Sequence, residues 1–186
     1  LTGCDLRCSY CDTPFAFTGG KTMTLDAIQN KIAEQAEGYP EPPLVELTGG
    51  EPLLQKESPA LMTALCDAGF TVLLETSGTH DISEIDPRVH RIVDLKCPSS
   101  GECERNLYSN LEHLRPGDEV KFVIGTREDY QWASEHLRKI NGRCEALFSW
   151  VNPLTPAQQS DVLKPVPADH TPITRQQLAE TIIADR

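Results

Sequence analysis

From Leu44 onward, apolar and polar positions along this chain alternate between two periods. "LVELT" (44–48), "FTVLLE" (70–75), "HRIVDL" (90–95), "EVKFVI" (119–124) and "CEALFSW" (144–150) are short runs rich in Leu, Val, Ile and Phe, and they read as strands. Helical spacing fills most of the gaps. The stretch 57–69 places Leu61, Leu65 and Ala68 on one face and stops at Gly69. The stretch 105–114 reads as a helix ended by Pro116 and Gly117, and 127–140 as a helix closed by Asn141-Gly142. A helix over 24–38, capped by Thr24, precedes the first of these strands, and another over 174–185 ends the chain. Between the last strand and the last helix lies a long Pro-rich stretch, 153–172, which reads as a functional loop.

Strands separated mostly by helices imply βαβ units, a parallel sheet and an α/β fold. Five strands are visible, and a sixth is expected with Leu1 and Thr2 as its C-terminal tail. No repeat or boundary interrupts the chain, so 1–186 is expected to be a single domain. The polar motifs follow the strands: "TGGE" (48–51), "ETSGT" (75–79), "DLK" (94–96) and "VNPLT" (151–155), with the cysteine loop after the presumed first strand. Ligand sites of parallel α/β folds form where strands end and loops begin. Five chemically loaded segments therefore fall on one rim.

Length and charge narrow the function classes. The 186 residues suffice for one well-buried core and not for two full-sized domains. With 39% apolar and 24% charged residues the composition is that of a soluble globular protein. No run approaches the roughly 18 apolar residues a membrane helix needs. Residue 1 already reads as structure rather than a targeting segment, so a cytoplasmic location is expected. The formal net charge of −11 speaks against a broad nucleic-acid-binding face. Seven cysteines is an odd count, which no complete disulfide framework accounts for. Cys66, Cys97, Cys103 and Cys144 are scattered and read as ordinary thiols.

The other three, Cys4, Cys8 and Cys11, crowd into "CDLRCSYC". Structural zinc almost always takes four protein ligands, and neither His80 nor His90 is spaced to complete such a site. A [4Fe–4S] cluster is usually held by four thiolates as well. Three would leave one iron open to an external ligand. On the residues alone, Gly49-Gly50 reads as a tight turn, Thr13 as a loop capper, and Asp94 with Lys96 as either a strand-end ion pair or ligand contacts.

Here the motifs resemble a known family. Cys-x3-Cys-x2-Cys with Tyr10 before the last cysteine resembles the cluster loop of radical S-adenosylmethionine (SAM) enzymes, and Gly49-Gly50-Glu51 resembles their second motif. "CDTPFAF", "LTGGEPLLQ", "LLETSGT", "VDLKCPSSGE" and "DEVKFVI" together are similar to the 7-carboxy-7-deazaguanine synthase family, over 1 to about 178. The resemblance implies a partial TIM-type barrel of about six parallel strands with a reduced set of helices. It implies a radical ring contraction of 6-carboxy-5,6,7,8-tetrahydropterin to 7-carboxy-7-deazaguanine with loss of ammonia, in 7-deazapurine and queuosine biosynthesis. Cys4, Cys8 and Cys11 would hold a [4Fe–4S] cluster. SAM would meet Tyr10, Gly50, Glu51, Ser77, Asp94, Leu95, Lys96, Asn152, Pro153, Leu154 and Thr155. Thr13 would contribute to a Mg2+ site, and Thr48 would face the pterin. A homodimer and a flavodoxin- or ferredoxin-type reductant are further implications. The family's Gln-Gly-Glu-Gly stretch upstream of the cysteines and its His-containing tail are not found between residues 1 and 186. Two other readings are a glycyl-radical-enzyme activase and a zinc-stabilised binding module without catalysis.

Overall fold

The computed structural model describes residues 1–140 and 142–185. All five expected strands form: β1 (Leu44–Leu47), β2 (Thr71–Thr76), β3 (His90–Asp94), β4 (Glu119–Ile124) and β5 (Glu145–Trp150). They make one parallel sheet in chain order, with Leu44 opposite Thr71, Leu73 opposite His90, Ile92 opposite Glu119 and Glu119 opposite Glu145. Strand order that follows chain order is that of a barrel wall, whereas a doubly wound sheet reverses direction part-way. The chain is therefore α/β, with a partial barrel.

The helices are α1 (Leu25–Ala36), α2 (Ser58–Asp67), α3 (Arg127–Ile140) and α4 (Arg175–Ala184). Helix α2 makes the β1–β2 crossover and α3 the β4–β5 crossover. Thr24 caps α1 as expected, accepting from the Ala27 amide at 3.2 Å, and Thr174 with Gln177 forms a capping box on α4. Helix α1 stops at Ala36 rather than reaching residue 38. Helix α2 stops at Asp67, which leaves Ala68 exposed instead of sharing the buried face of Leu61 and Leu65. Of the Asn141-Gly142 stop expected after α3, Asn141 lies outside the described residues.

The helix expected over 105–114 is not α-helical. The segment is broken into 3-10 turns at Cys103–Arg105 and Tyr108–His113. Two asparagines explain the break, because their amides serve other backbone. Asn110 accepts from the Ile82 amide and donates to the Gly78 and His80 carbonyls. Asn106 accepts from the Lys96 amide and donates to its carbonyl. Tertiary hydrogen bonds override the local periodicity.

Among the described residues no sixth strand is assigned. Residues 1–3 nevertheless run along the end of β1. The Leu1 amine donates to Thr48 O, the Gly50 amide to Leu1 O and the Glu51 amide to Gly3 O. That alternation of donor and acceptor is the one parallel neighbours make.

The two faces of the sheet differ. Val72, Leu74, Val93, Val120, Phe122 and Ile124 are buried against α2 and α3. Phe122 is sandwiched between Trp132 at 6.2 Å and Phe148 at 5.5 Å, and such a side chain contributes about 3–5 kcal/mol relative to Ala. Arg91, on that same buried face, is neutralised by Asp118, which also accepts from the Arg91 and Arg115 amides. The opposite face carries polar residues into a cavity.

Candidate active site

The cavity, about 630 Å³, opens at the C-terminal ends of the strands. The cysteine loop contributes Cys4, Cys8, Tyr10, Cys11 and Thr13, and the end of β1 contributes Thr48 and Gly50. Ser77 follows β2, Asp94 and Lys96 end β3, and Asn152, Pro153 and Leu154 follow β5. Thirteen of the sixteen residues expected from the sequence thus line one cavity. Glu51, Leu95 and Thr155 do not.

The cysteine loop has its own scaffold. The Gly3 amide donates to Ala16 O at 2.8 Å, and the Cys11 amide to Cys8 O at 3.1 Å. The Arg7 guanidinium donates to the Cys4 and Leu6 carbonyls and lies 4.1 Å from the centre of the Phe17 ring. Burial pushes the Cys8 thiol up to about 11 and raises Cys4 as well, with the Lys96 charge pulling both down. All three sulfur-bearing side chains face the cavity. Yet among the described residues no three His, Cys, Asp or Glu side chains converge closely enough to hold a single metal ion. Three thiolates are the donor type an iron–sulfur cluster takes, and here all three line one cavity.

Gly49 and Gly50 are there because the loop's start passes so close. A Cβ on Gly50 would lie 2.1 Å from Gly3 O and 3.1 Å from the Cys4 Cβ. One on Gly49, whose φ is +139°, would lie 2.0 Å from Leu1 O. The Glu51 side chain turns into the protein. It is fully buried, and its carboxylate accepts from the Leu53 amide (2.9 Å), the Thr76 hydroxyl (2.8 Å) and the Ser77 amide (2.7 Å). It ties the glycine turn to the end of β2. Leu95 points into the hydrophobic core because strand alternation sends it opposite to Asp94 and Lys96. Thr155 is occupied by Gln158, to which its amide and hydroxyl both donate.

Asp94 and Lys96 form the strand-end ion pair, one of the two readings left open by the sequence, and both line the cavity. Lys96 Nζ donates to Asp94 Oδ2 at 2.7 Å, and both residues are buried. Burial alone would lower the Lys96 pKa, but the Asp94 carboxylate and the nearby thiols hold it above its ordinary value. Asp94 Oδ1 is buried with no hydrogen-bond partner among the described residues, and so is the Tyr10 hydroxyl. A buried, unpartnered acceptor on a cavity wall is a place for a ligand hydroxyl or amine. Thr13 Oγ1 lies 3.7 Å from Cys11 Sγ, at the same wall.

Several cavity residues escaped the sequence reading. Glu75 in β2 and Lys121 in β4 form a 2.6 Å ion pair on the cavity wall, with Val123, Ser149 and Trp150 beside them. Burial, with the Glu75 charge, raises Glu46 nearby. The signal was present: strands of a covered parallel sheet are apolar on both faces, so alternating acid and lysine positions mark a wetted face. Asp12, Phe17 and Gln158 also line the wall, and Gln158 Nε2 donates to Asp12 O.

The Radical SAM superfamily matches residues 1–147. The 7-carboxy-7-deazaguanine synthase of Koribacter versatilis (strain Ellin345) is 40% identical over 187 residues, covering 100% of this chain and 80% of its own length. That of Chlorobaculum tepidum is 42% identical over 153 residues, covering 80% of this chain and 67% of its own. Among solved structures, Streptococcus suis SuiB superposes with a TM-score of 0.69 over 99% of this chain and 44% of its own, at 14% identity. SuiB bound to S-adenosylmethionine gives a TM-score of 0.68 at 13% identity, over 98% of this chain and 45% of its own. At such identities the likeness is one of fold. On the matched superfamily and the identities to its relatives, the chain belongs to the 7-carboxy-7-deazaguanine synthase family of the radical SAM superfamily.

Proposed function

We propose that this chain converts 6-carboxy-5,6,7,8-tetrahydropterin to 7-carboxy-7-deazaguanine with loss of ammonia. The observation that carries the proposal is the convergence of the three cysteines, the Gly-Gly turn, the Asp94–Lys96 pair and the Asn152–Leu154 segment on one cavity. The name shared by the relatives supplies the reaction.

Cys4, Cys8 and Cys11 would hold the [4Fe–4S] cluster, and SAM would sit against Tyr10, Gly50, Ser77, Asp94, Lys96 and Asn152–Leu154. When bound, these two groups supply the one-electron chemistry that starts the ring contraction. The protein's own part is placement and shielding. Asp94 keeps Oδ1 free to accept from a ligand hydroxyl while Lys96 neutralises its charge, so the site accepts a polar ligand without an unpaired buried charge. The Thr13 hydroxyl would give Mg2+ one hard ligand, the remainder coming from substrate and water. Thr48, at the mouth beside the glycine turn, would face the pterin. Leu154 and Trp150 offer apolar surface that excludes water from the cavity wall. A cytoplasmic single-domain enzyme, a homodimeric assembly and a flavodoxin- or ferredoxin-type electron donor belong to the same proposal. Among the described residues no helix is long and apolar enough to cross a membrane.

The test is anaerobic turnover of the reconstituted full-length protein with the pterin, SAM and a chemical reductant, with and without Mg2+, read by mass spectrometry. Deazaguanine product that increases with Mg2+ is expected. SAM cleavage by a cluster-bearing protein with no such product would refute the substrate assignment.

A further inference from the structure

The turn after β3, residues 98–102, lies behind the cysteine loop, and no role in the cavity accounts for it. Its Glu102 carboxylate is 3% exposed and serves two partners. Oε1 accepts from the Arg7 backbone amide at 2.6 Å, and Oε2 accepts from Lys164 Nζ at 2.8 Å. The preceding residues of the turn hold Ser9, whose amide donates to Ser100 O at 3.0 Å and whose hydroxyl donates to Ser99 O at 2.6 Å. Both neighbours of Cys8 are therefore fixed by one turn. The turn is itself anchored, since the Ser99 amide and hydroxyl both donate to Asp129.

Lys164 brings in the Pro-rich stretch after β5. Its amide donates to Arg7 O at 2.8 Å and its ammonium also donates to Gly101 O at 2.7 Å. Its aliphatic stem lies so close over Gly101 that a Cβ there would come within 2.9 Å of it. The same stretch carries Pro153, Leu154 and Gln158 into the cavity wall. A neutral amide at residue 102 could still accept from Arg7 N–H, but only a carboxylate accepts from both Arg7 and an ammonium with charge assistance.

We propose that Glu102 is a positioning residue that seats Cys8 and fastens the 153–172 strap to the cysteine loop, so that ordering of the strap and retention of the cluster are coupled. The inference rests on the reading of Cys4, Cys8 and Cys11 as cluster ligands. Its two halves separate by substitution. Glu102→Ala removes both contacts, Glu102→Gln keeps an acceptor for Arg7 and gives up the charged link, and Lys164→Met removes only the strap's charge while keeping the stem.

Two measurements test it: amide hydrogen exchange of the cluster-free protein over 5–10 and 156–168, and the rate of iron release from the reconstituted protein to a chelator. Glu102→Ala should raise exchange in both segments and iron release by about tenfold or more, the scale set by loss of a charge-assisted hydrogen bond. Glu102→Gln should leave 5–10 within about twofold of the parent while 156–168 exchanges about tenfold faster. Lys164→Met should free the strap in the same way and raise iron release by several-fold. Parental exchange and iron release in both Glu102→Ala and Lys164→Met would overturn the proposal. If Glu102→Ala does not fold, Lys164→Met decides alone, because its side chain is largely at the surface. Failure of the parent to take up a cluster would overturn the cofactor reading instead, and hydrogen exchange would still judge the role of Glu102.

Discussion

Glu51 offers the sharpest test, because it stands in a motif that implies a SAM contact while its side chain is spent on hydrogen bonds inside the protein. In the fold it is fully buried and accepts three hydrogen bonds, from Leu53, Thr76 and Ser77. Glu51→Gln keeps the shape and leaves one oxygen for Leu53 and Thr76. The amide nitrogen would then face the Ser77 N–H, donor against donor, with no water to relieve either. A buried donor left unsatisfied costs about 1–3 kcal/mol, and losing a charge-assisted bond adds to it, so about 3 kcal/mol is expected. For a chain of this size that is a fall in melting temperature of about 6–12 °C. Urea unfolding of the cluster-free protein, followed by circular dichroism, measures it directly. SAM affinity of the reconstituted variant should weaken only through displacement of Ser77. A variant within about 0.5 kcal/mol of the parent, yet more than about 100-fold weaker for SAM, would refute the reasoning and put the carboxylate on the ligand.

Other expectations are equally direct. Cys8→Ala should lose the visible absorbance of the iron–sulfur cluster and SAM cleavage while the cluster-free fold persists by circular dichroism; global unfolding would point to a structural metal instead. Gly50→Ala forces a Cβ to 2.1 Å from Gly3 O, so about 1–3 kcal/mol of stability and most of the iron loading should be lost, read by thermal melts and iron analysis. Asp118→Asn leaves Arg91 unpaired in the buried face and should cost about 3–5 kcal/mol at neutral pH. Burial opposes ionisation of Asp118, but hydrogen bonds from Arg91 and Arg115 hold its carboxyl below the usual carboxylate range. With a depressed folded pKa, its contribution is complete above the unfolded value of about 4 and is lost as pH falls through the folded one. The stability gap between parent and Asp118→Asn should therefore be constant from about pH 5 upward and close below about pH 4; a gap that widens on acidification would contradict the pairing.

Much of this molecule is local and was legible in the chain. Each strand is a short apolar run bounded by turn residues. Thr24 announced its helix start, because a cap needs only a hydroxyl just before a periodic stretch. The spacing of Cys4, Cys8 and Cys11, and the placement of polar motifs directly after strands, put a cofactor site on one rim. These features depend on neighbours within about ten residues, which a linear reading can see.

Other features were set by contacts distant in sequence. The segment 105–114 has helical spacing, but Asn106 and Asn110 bond to backbone ten to thirty-two residues away, and no period encodes that competition. Glu51 belongs to a ligand motif and yet serves Thr76 and Ser77, since β1 and β2 bring it beside them only after the sheet forms. Strand alternation sends Leu95 to the core and Asp94 and Lys96 to the cavity, a choice invisible until the covered face is known. The Glu75–Lys121 pair and the clasp of Glu102, Arg7 and Lys164 join residues 46, 95 and 62 positions apart. Sequence alone determined which chemical groups this protein possesses and which rim they occupy. Which of them face the cavity, and which hold the others in place, was decided by the tertiary structure, because buried polar groups must find partners wherever the fold supplies them.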